Sequence, residues 1–365
     1  MTTLYETADS RIDLFLAGGR QPRARRPLVA VFDHLSEPPG GRILGKGFGT
    51  EAFLGEGCDV LAVRCSQNLW FQDLLAAGDL ARSVAPALLG YRTRTGYGSS
   101  MGGYGALALA GPLGLDRVLA IAPQADLDLP GESRWRQQLA TITARFGGFQ
   151  PLKAHHLAGI KWATLLFDPV SEDAAQIAAI EAALPAIAYR PVKVRHCRHY
   201  PGVAFGREGL KRMVLELAHT GRVRAPRISR AAKRASPVWH FAFAEAIERT
   251  RGVGAPWSRK VAILALARAV ALSPEKAAYR TSLGRLLRAD GRLEEALIEI
   301  RRAAALVPRH DHARAESEVL AELGRLDLAI AAGERAVRLA GEGHPMHRFH
   351  KAHLDKLTAA ACAAA

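Results

Sequence analysis

The chain has 365 residues, 49% hydrophobic and 23% charged, with a formal net charge of +15. That length suffices for two domains of ordinary size, and the balance of apolar and charged residues excludes a disordered or fibrous chain. No run of about 18 apolar residues exists, so no membrane span is expected, and Met1 to Asp9 lacks the basic segment and apolar core of a secretory signal.

Four cysteines, Cys58, Cys65, Cys197 and Cys362, are scattered without a C-x-x-C pair. This spacing predicts neither a disulfide framework nor a zinc site, no cofactor is implied, and a reducing cytoplasm is the expected compartment. The excess charge is mostly arginine and is concentrated at Arg20 to Arg26 and at Arg222 to Arg234. In the second segment Arg222, Arg224, Arg227, Arg230, Lys233 and Arg234 have no acid between them. Such charge suits an anionic partner, but no aromatic residues interleave to stack on bases, so an exposed basic linker is expected and nucleic acid is not.

In chain order, Arg11 to Ala17 alternates and predicts an edge strand, followed by a Gly18-Gly19 turn. Pro27 to Asp33 is a short apolar run, the mark of a strand buried on both faces, and His34 to Gly41 is an irregular loop. Cys58 to Arg64 is the next strand, and Phe71 to Leu89 has helical spacing. Arg92 to Tyr97 is a strand with fewer aliphatic residues than a central position ordinarily has. A helix over Met101 to Leu113, a strand over Arg117 to Pro123 and a helix over Glu132 to Phe146 follow. Trp162 to Phe167 is a strand ended by Asp168-Pro169, and Asp173 to Leu184 is helical. Pro191 to His196 is the last strand and Arg207 to His219 the last helix of this part. The alternation predicts an α/β fold, a mostly parallel sheet with helices on both faces and its site at the carboxyl ends of the strands.

Between the strand at 92–97 and the helix at 101–113 stands Gly96-Tyr-Gly-Ser-Ser-Met-Gly-Gly-Tyr-Gly-Ala-Leu107, which contains Gly98-x-Ser100-x-Gly102. The pattern describes a sharp strand-to-helix turn with an exposed serine hydroxyl at its apex, flanked where a Cβ would collide with its neighbours. The first N–H groups of the helix beyond it are placed to hold an oxyanion.

This stretch resembles the nucleophile elbow of α/β-hydrolases, which implies such a fold over residues 1–220 and a nucleophile at Ser100. A serine hydroxyl is a weak nucleophile until an imidazole takes its proton and a carboxylate orients that imidazole. The resemblance places the acid after the strand at 162–167, where Asp173 is favoured over Asp168, and the base after the strand at 191–196, where His199 is favoured over His196. A helix N-cap is the competing role for Asp173. The family often sets its histidine directly after a glycine in this loop, whereas Val203 follows Gly202 here. The expected oxyanion donors are the backbone N–H of Met101 and that of His34 or Leu35.

Asn68 and Trp70 lie just past the third strand and are candidates to line a substrate pocket, with Trp70 packed against the sheet as the alternative. About 38 residues separate Pro123 from Trp162, enough for a small helical cap, in which Trp135 and Phe149 are candidates for the pocket wall.

Beyond Pro237 no strands are read. Leu283-Gly284, Leu287, Gly291, Ala296, Ile300, Ala303 and Pro308 have the spacing of a 34-residue helix–turn–helix unit. A step of 34 back gives Ala262, Leu266, Ala269 and Pro274, and a step of 33 forward gives Gly324, Ala329 and Ala336. This segment, roughly Pro256 to Ala361, resembles tetratricopeptide (TPR) repeats, which implies an all-α scaffold for a protein partner. The expected organisation is a hydrolase-like domain at 1–220, a basic linker with a capping helix at 221–255, and repeats at 256–365.

The resulting expectation is a serine hydrolase of the esterase or thioesterase type, acting on a small or polymer-linked acyl ester, with a repeat module for protein binding. An acyltransferase acting on a polysaccharide or lipid hydroxyl is the close variant. A scaffold without turnover, suggested by Val203, is the alternative from another class.

Overall fold

Runs such as Leu28-Val-Ala-Val-Phe32, buried at all five positions, have no polar face to offer water and must be covered on both sides. In the computed structural model, which describes residues 1–18, 22–34, 46–184, 188–224, 228–251 and 256–364, these runs form one eight-stranded sheet. Its strands are β1 (Thr2–Glu6), β2 (Ser10–Phe15), β3 (Leu28–Phe32), β4 (Asp59–Cys65), β5 (Arg94–Ser99), β6 (Arg117–Ile121), β7 (Trp162–Phe167) and β8 (Ala188–Lys193). The order is β1-β2-β4-β3-β5-β6-β7-β8. The β1–β2 and β2–β4 pairs are antiparallel and all others are parallel. The helices among them are α1 (Thr50–Leu54), α2 (Gln72–Ala76), α3 (Leu80–Leu88), α4 (Met101–Ala108), α5 (Arg136–Phe146), α6 (Ala154–Leu157), α7 (Asp173–Ala183) and α8 (Gly206–Thr220).

Three expectations need correction. The edge strand is β1, which places β2 inside the sheet; β1 is largely exposed and so has no apolar alternation to betray it. Residues 71–89 form two helices, because the chain turns extended at Ala77 before Gly78 while the apolar spacing continues across the break. The last strand starts at Ala188, ahead of the apolar run by which it was placed.

Strand β5 lies between β3 and β6 despite its few aliphatic residues, because α4 packs too closely for side chains on that face. A Cβ at Gly98 would stand 2.2 Å from the Gly102 carbonyl oxygen, and one at Gly102 would stand 2.7 Å from the Phe32 carbonyl oxygen. Backbone contact replaces side-chain packing here, and it brings the start of α4 against the end of β3.

The chain divides into two compact units, Met1–Ala232 and Lys233–Ala365. After α9 (Arg230–Ala235), the second unit is helical: α10 (Pro237–Arg251), α11 (Pro256–Leu272), α12 (Ala277–Ala289), α13 (Leu293–Leu306), α14 (His310–Glu322), α15 (Leu326–Ala340) and α16 (His347–Ala364). The pairs α10–α11, α12–α13 and α14–α15 form successive hairpins. Ala262, Ala296 and Ala329, and likewise Ala269, Ala303 and Ala336, are fully buried at repeating positions. Gly291 and Gly324 take left-handed φ values of +77° and +73° in the turns between paired helices, a conformation glycine adopts without strain. Helix α10, which falls in the segment 221–255 expected to hold a basic linker with a capping helix, packs on α11 and supplies Ala244 to the core of this unit. Among the described residues no helix is long and apolar enough to cross a membrane.

Candidate active site

Ser100 stands between β5 and α4 with φ 54° and ψ −116°, a conformation that costs a non-glycine residue about 1–3 kcal/mol. Its surroundings hold it there. The Ser100 N–H donates to the Ile121 carbonyl at the end of β6 (2.8 Å), and the Tyr104 N–H donates to the Ser100 carbonyl (2.9 Å). Both ends of the turn are thus bonded, and the close contacts of Gly98 and Gly102 leave no other path for the chain.

His199 Nε2 lies 2.7 Å from Ser100 Oγ. On the other side of the ring, Nδ1 lies 2.9 Å and 3.0 Å from the two oxygens of Asp173. An ionised Asp173 accepts, so Nδ1 carries the proton and Nε2 is left as acceptor for the serine hydroxyl. Asp173 is fully buried and Ser100 is 8% exposed, so this line of groups is shielded yet reachable at the serine.

The two candidate acids have different surroundings. Asp168, at the end of β7, accepts the N–H groups of Cys197 and Arg198 at 2.8 Å each and that of Val170 at 3.1 Å. It anchors the loop that carries His199, in which His196 and Arg198 hold left-handed φ values of 63° and 46°. Asp173, the first residue of α7, makes no N-cap bond; its carboxylate faces His199. Replacing Asp168 by Ala would leave buried N–H groups without an acceptor, at about 1–3 kcal/mol each. Asp168→Ala is therefore expected to lower the urea midpoint clearly, and an unchanged midpoint in equilibrium unfolding would contradict this anchoring role.

Burial pushes the Asp173 carboxyl up. The hydrogen bond and charge of His199, with those of Arg134, outweigh it, and the group lies below the usual carboxylate range. Arg134 donates to Asp173 Oδ1 at 2.7 Å, and Gln124 Nε2 donates to the same oxygen at 3.1 Å. Gln124 Oε1 in turn accepts from Arg134 and from Trp135 Nε1, both at 3.1 Å. The Trp135 ring lies 5.5 Å from that of His199. Gln124 and Arg134 are not legible as site residues in the sequence. The one available signal is that Gln124 stands just beyond the carboxyl end of a parallel strand, where sites of this architecture form.

Met101 is buried as the first residue of α4, its backbone next in chain to Ser100. His34 follows β3, is exposed, and sets its ring 5.2 Å from Phe48; Leu35, the other candidate donor, lies outside the described residues. Asn68 lines a polar cavity of about 190 Å³ together with Asp33, His34, Cys65, Ser66 and Gln67. Burial raises the Asp33 carboxyl above its ordinary value, against the opposing bonds from the Cys65 and Phe48 N–H groups.

Trp70 is not a pocket residue. It is fully buried, with its ring 5.8 Å from Tyr104, 5.5 Å from Trp135 and 6.1 Å from Phe149, and it belongs to the core. A large apolar ring at this position gains more from the sheet–helix interior than from a solvated cleft. Of the two cap aromatics, Trp135 reaches the site and Phe149 packs on Trp70 and Tyr104.

The first unit is thus a mostly parallel α/β sheet with a serine, a histidine and an aspartate in line at the carboxyl ends of its strands. The second is a stack of helical hairpins. No protein-family model matches the chain, and no curated protein matches it. Solved structures similar to part of it include MamA, at 18% identity over 30% of this chain with a TM-score of 0.27. Another is the Yersinia enterocolitica type III secretion chaperone SycD in complex with a peptide of the translocator YopD, at 15% identity over 33% of this chain and 88% of that one, TM-score 0.29. A third is TTC0263, a thermophilic TPR protein of Thermus thermophilus, at 20% identity over 35% of this chain and 66% of that one, TM-score 0.30. The chain spans 60% of the length of MamA.

Proposed function

We propose that the first unit is a serine hydrolase of the esterase or thioesterase type that works through an acyl-enzyme on Ser100. The observation that carries this reading is the unbroken series Ser100 Oγ, His199 Nε2, His199 Nδ1, Asp173, with separations of 2.7 Å and 2.9 Å. In the proposed cycle Ser100 Oγ attacks the acyl carbon as its proton passes to His199 Nε2. The imidazolium, held by the Asp173 carboxylate, returns that proton to the departing alcohol or thiol. Water then attacks the acyl-enzyme by the same route in reverse, and Ser100 is restored. The backbone N–H groups of Met101 and His34 are the proposed oxyanion donors. Removal of one such donor ordinarily costs about 3–4 kcal/mol of transition-state stabilisation.

Val203 after Gly202 is compatible with this reading, because the imidazole comes from His199, earlier in the same loop. The helical unit is proposed to hold a protein partner. Its support is the regular hairpin stack, on which Trp257, Leu264, Ile298 and Leu328 remain exposed.

The test is labelling of the purified protein with a fluorophosphonate, which reacts with activated serines. Wild-type labelling that is lost in Ser100→Ala and His199→Ala supports the proposal. A folded wild-type protein that does not label refutes it.

A further inference from the structure

The first residue of a helix is an ordinary place for an aspartate, and a free carboxylate there could turn toward its own helix or toward solvent. Asp173 has neither freedom. Its Oδ1 accepts from Arg134 at 2.7 Å, from Gln124 at 3.1 Å and from His199 at 3.0 Å, which leaves Oδ2 as the close partner of the ring at 2.9 Å. The Asp173 side chain is fully buried and that of Arg134 is 24% exposed. The guanidinium is used on all three nitrogens: Nε donates to Glu132 at 2.9 Å, one terminal nitrogen to Asp173, and the other to Gln124 and Glu132. The Glu132 side chain is only 4% exposed and also accepts from Gln176 at 3.2 Å. Arg134 further stacks over Trp135, the ring that faces His199.

The guanidinium grips Glu132 with two nitrogens and reaches Asp173 with the third. A planar fork held in this way meets its partners at fixed angles, which an ammonium would not do, so Glu132 sets the direction from which Arg134 meets Asp173.

We infer that Arg134 is a positioning residue of the serine–histidine site: held in place by Glu132, it clamps Asp173 in the orientation that faces His199. The inference rests on the proposed hydrolase function for its meaning. The stretch between β6 and α5 that supplies Gln124, Glu132 and Arg134 then orients the acid.

The experiment compares wild type, Arg134→Lys, Arg134→Gln and Glu132→Gln in three readouts: fluorophosphonate labelling rate, kcat and KM on a p-nitrophenyl acyl ester, and the proton NMR line of His199 Nδ1–H at one fixed pH, assigned by its absence in His199→Ala. Arg134→Gln is expected to lower kcat and the labelling rate by about 10-fold to 100-fold with KM unchanged, and to displace the Nδ1–H line, because the carboxylate that accepts this proton is no longer held. Glu132→Gln is expected to act in the same direction but less, and Arg134→Lys to restore part of the rate, because the charge remains and the planar fork is lost. A merely structural role would lower the urea midpoint of the variants and leave kcat of the folded protein and the Nδ1–H line unchanged, which would overturn the inference. A displaced line in Arg134→Gln with a wild-type protein that never labels would uphold the clamp and refute the hydrolase reading separately.

Discussion

Ser100→Ala and His199→Ala are each expected to lower kcat on a p-nitrophenyl acyl ester by about 10⁶-fold, with the protein still folded. Asp173→Asn is expected to lose about 10⁴-fold. The order follows from the chemistry of the line. In the proposed cycle, loss of Oγ removes the atom that is acylated, and loss of the imidazole removes the group that takes the serine proton. Without the carboxylate charge the base survives in the wrong tautomer and without a counterion. The double variant Ser100→Ala/His199→Ala should lose little more than either alone, because the two residues act as one unit. Additive losses would show that His199 acts on something other than Ser100. An Asp173→Asn protein that keeps wild-type kcat would show that the acid has been misassigned; Asp168 touches the N–H groups of Cys197 and Arg198, whereas Asp173 touches the ring.

Gly98→Ala carries the largest expected effect on stability. The added Cβ would stand 2.2 Å from the Gly102 carbonyl oxygen and 2.3 Å from its carbon, both backbone atoms that no rotamer change can move. Helix α4 would have to leave the sheet or β5 would have to buckle, in the part of the fold where Phe32, Phe71, Met101 and Tyr104 are fully buried together. A destabilisation of about 3 kcal/mol or more is expected, at the upper end of what overpacking ordinarily costs. Urea unfolding measures it directly. A midpoint within experimental error of wild type would mean that the turn does not have the close approach described. Gly18→Ala is the matched control, since a Cβ there meets nothing within 4 Å.

Much of this protein is legible in its sequence because local chemistry leaves periodic traces. Buried parallel strands need unbroken apolar runs, and Leu28–Phe32, Asp59–Cys65 and Trp162–Phe167 lie within a residue or two of where those runs predict them. A tight strand-to-helix turn needs glycines at fixed offsets, which single out Ser100. Hairpins that repeat need small residues at a fixed step, and the alanines found by counting 33 and 34 residues are the fully buried ones. Chain order, read through the family resemblance, favours His199 over His196 and Asp173 over Asp168 among the candidates near the ends of β8 and β7, and in the structure His199 and Asp173 lie in line with Ser100.

Other features depend on groups far apart in the chain, and no local trace records them. Strand β1 escapes a sequence reading because one exposed edge strand carries no alternation. Trp70 reads as a pocket residue because its surroundings, Trp135 and Phe149, come from a segment more than sixty residues later. Whether Asp173 caps its helix or faces His199 is decided by Arg134 and Gln124, which reach it across 39 and 49 residues. The sequence by itself determined the buried apolar strands, the strand-to-helix turn and the repeat spacing, since each depends on neighbours within a turn, a strand or a fixed step. Only the tertiary structure decided which acid serves the histidine and what holds it, because a buried carboxylate takes its direction from the donors that folding brings to it.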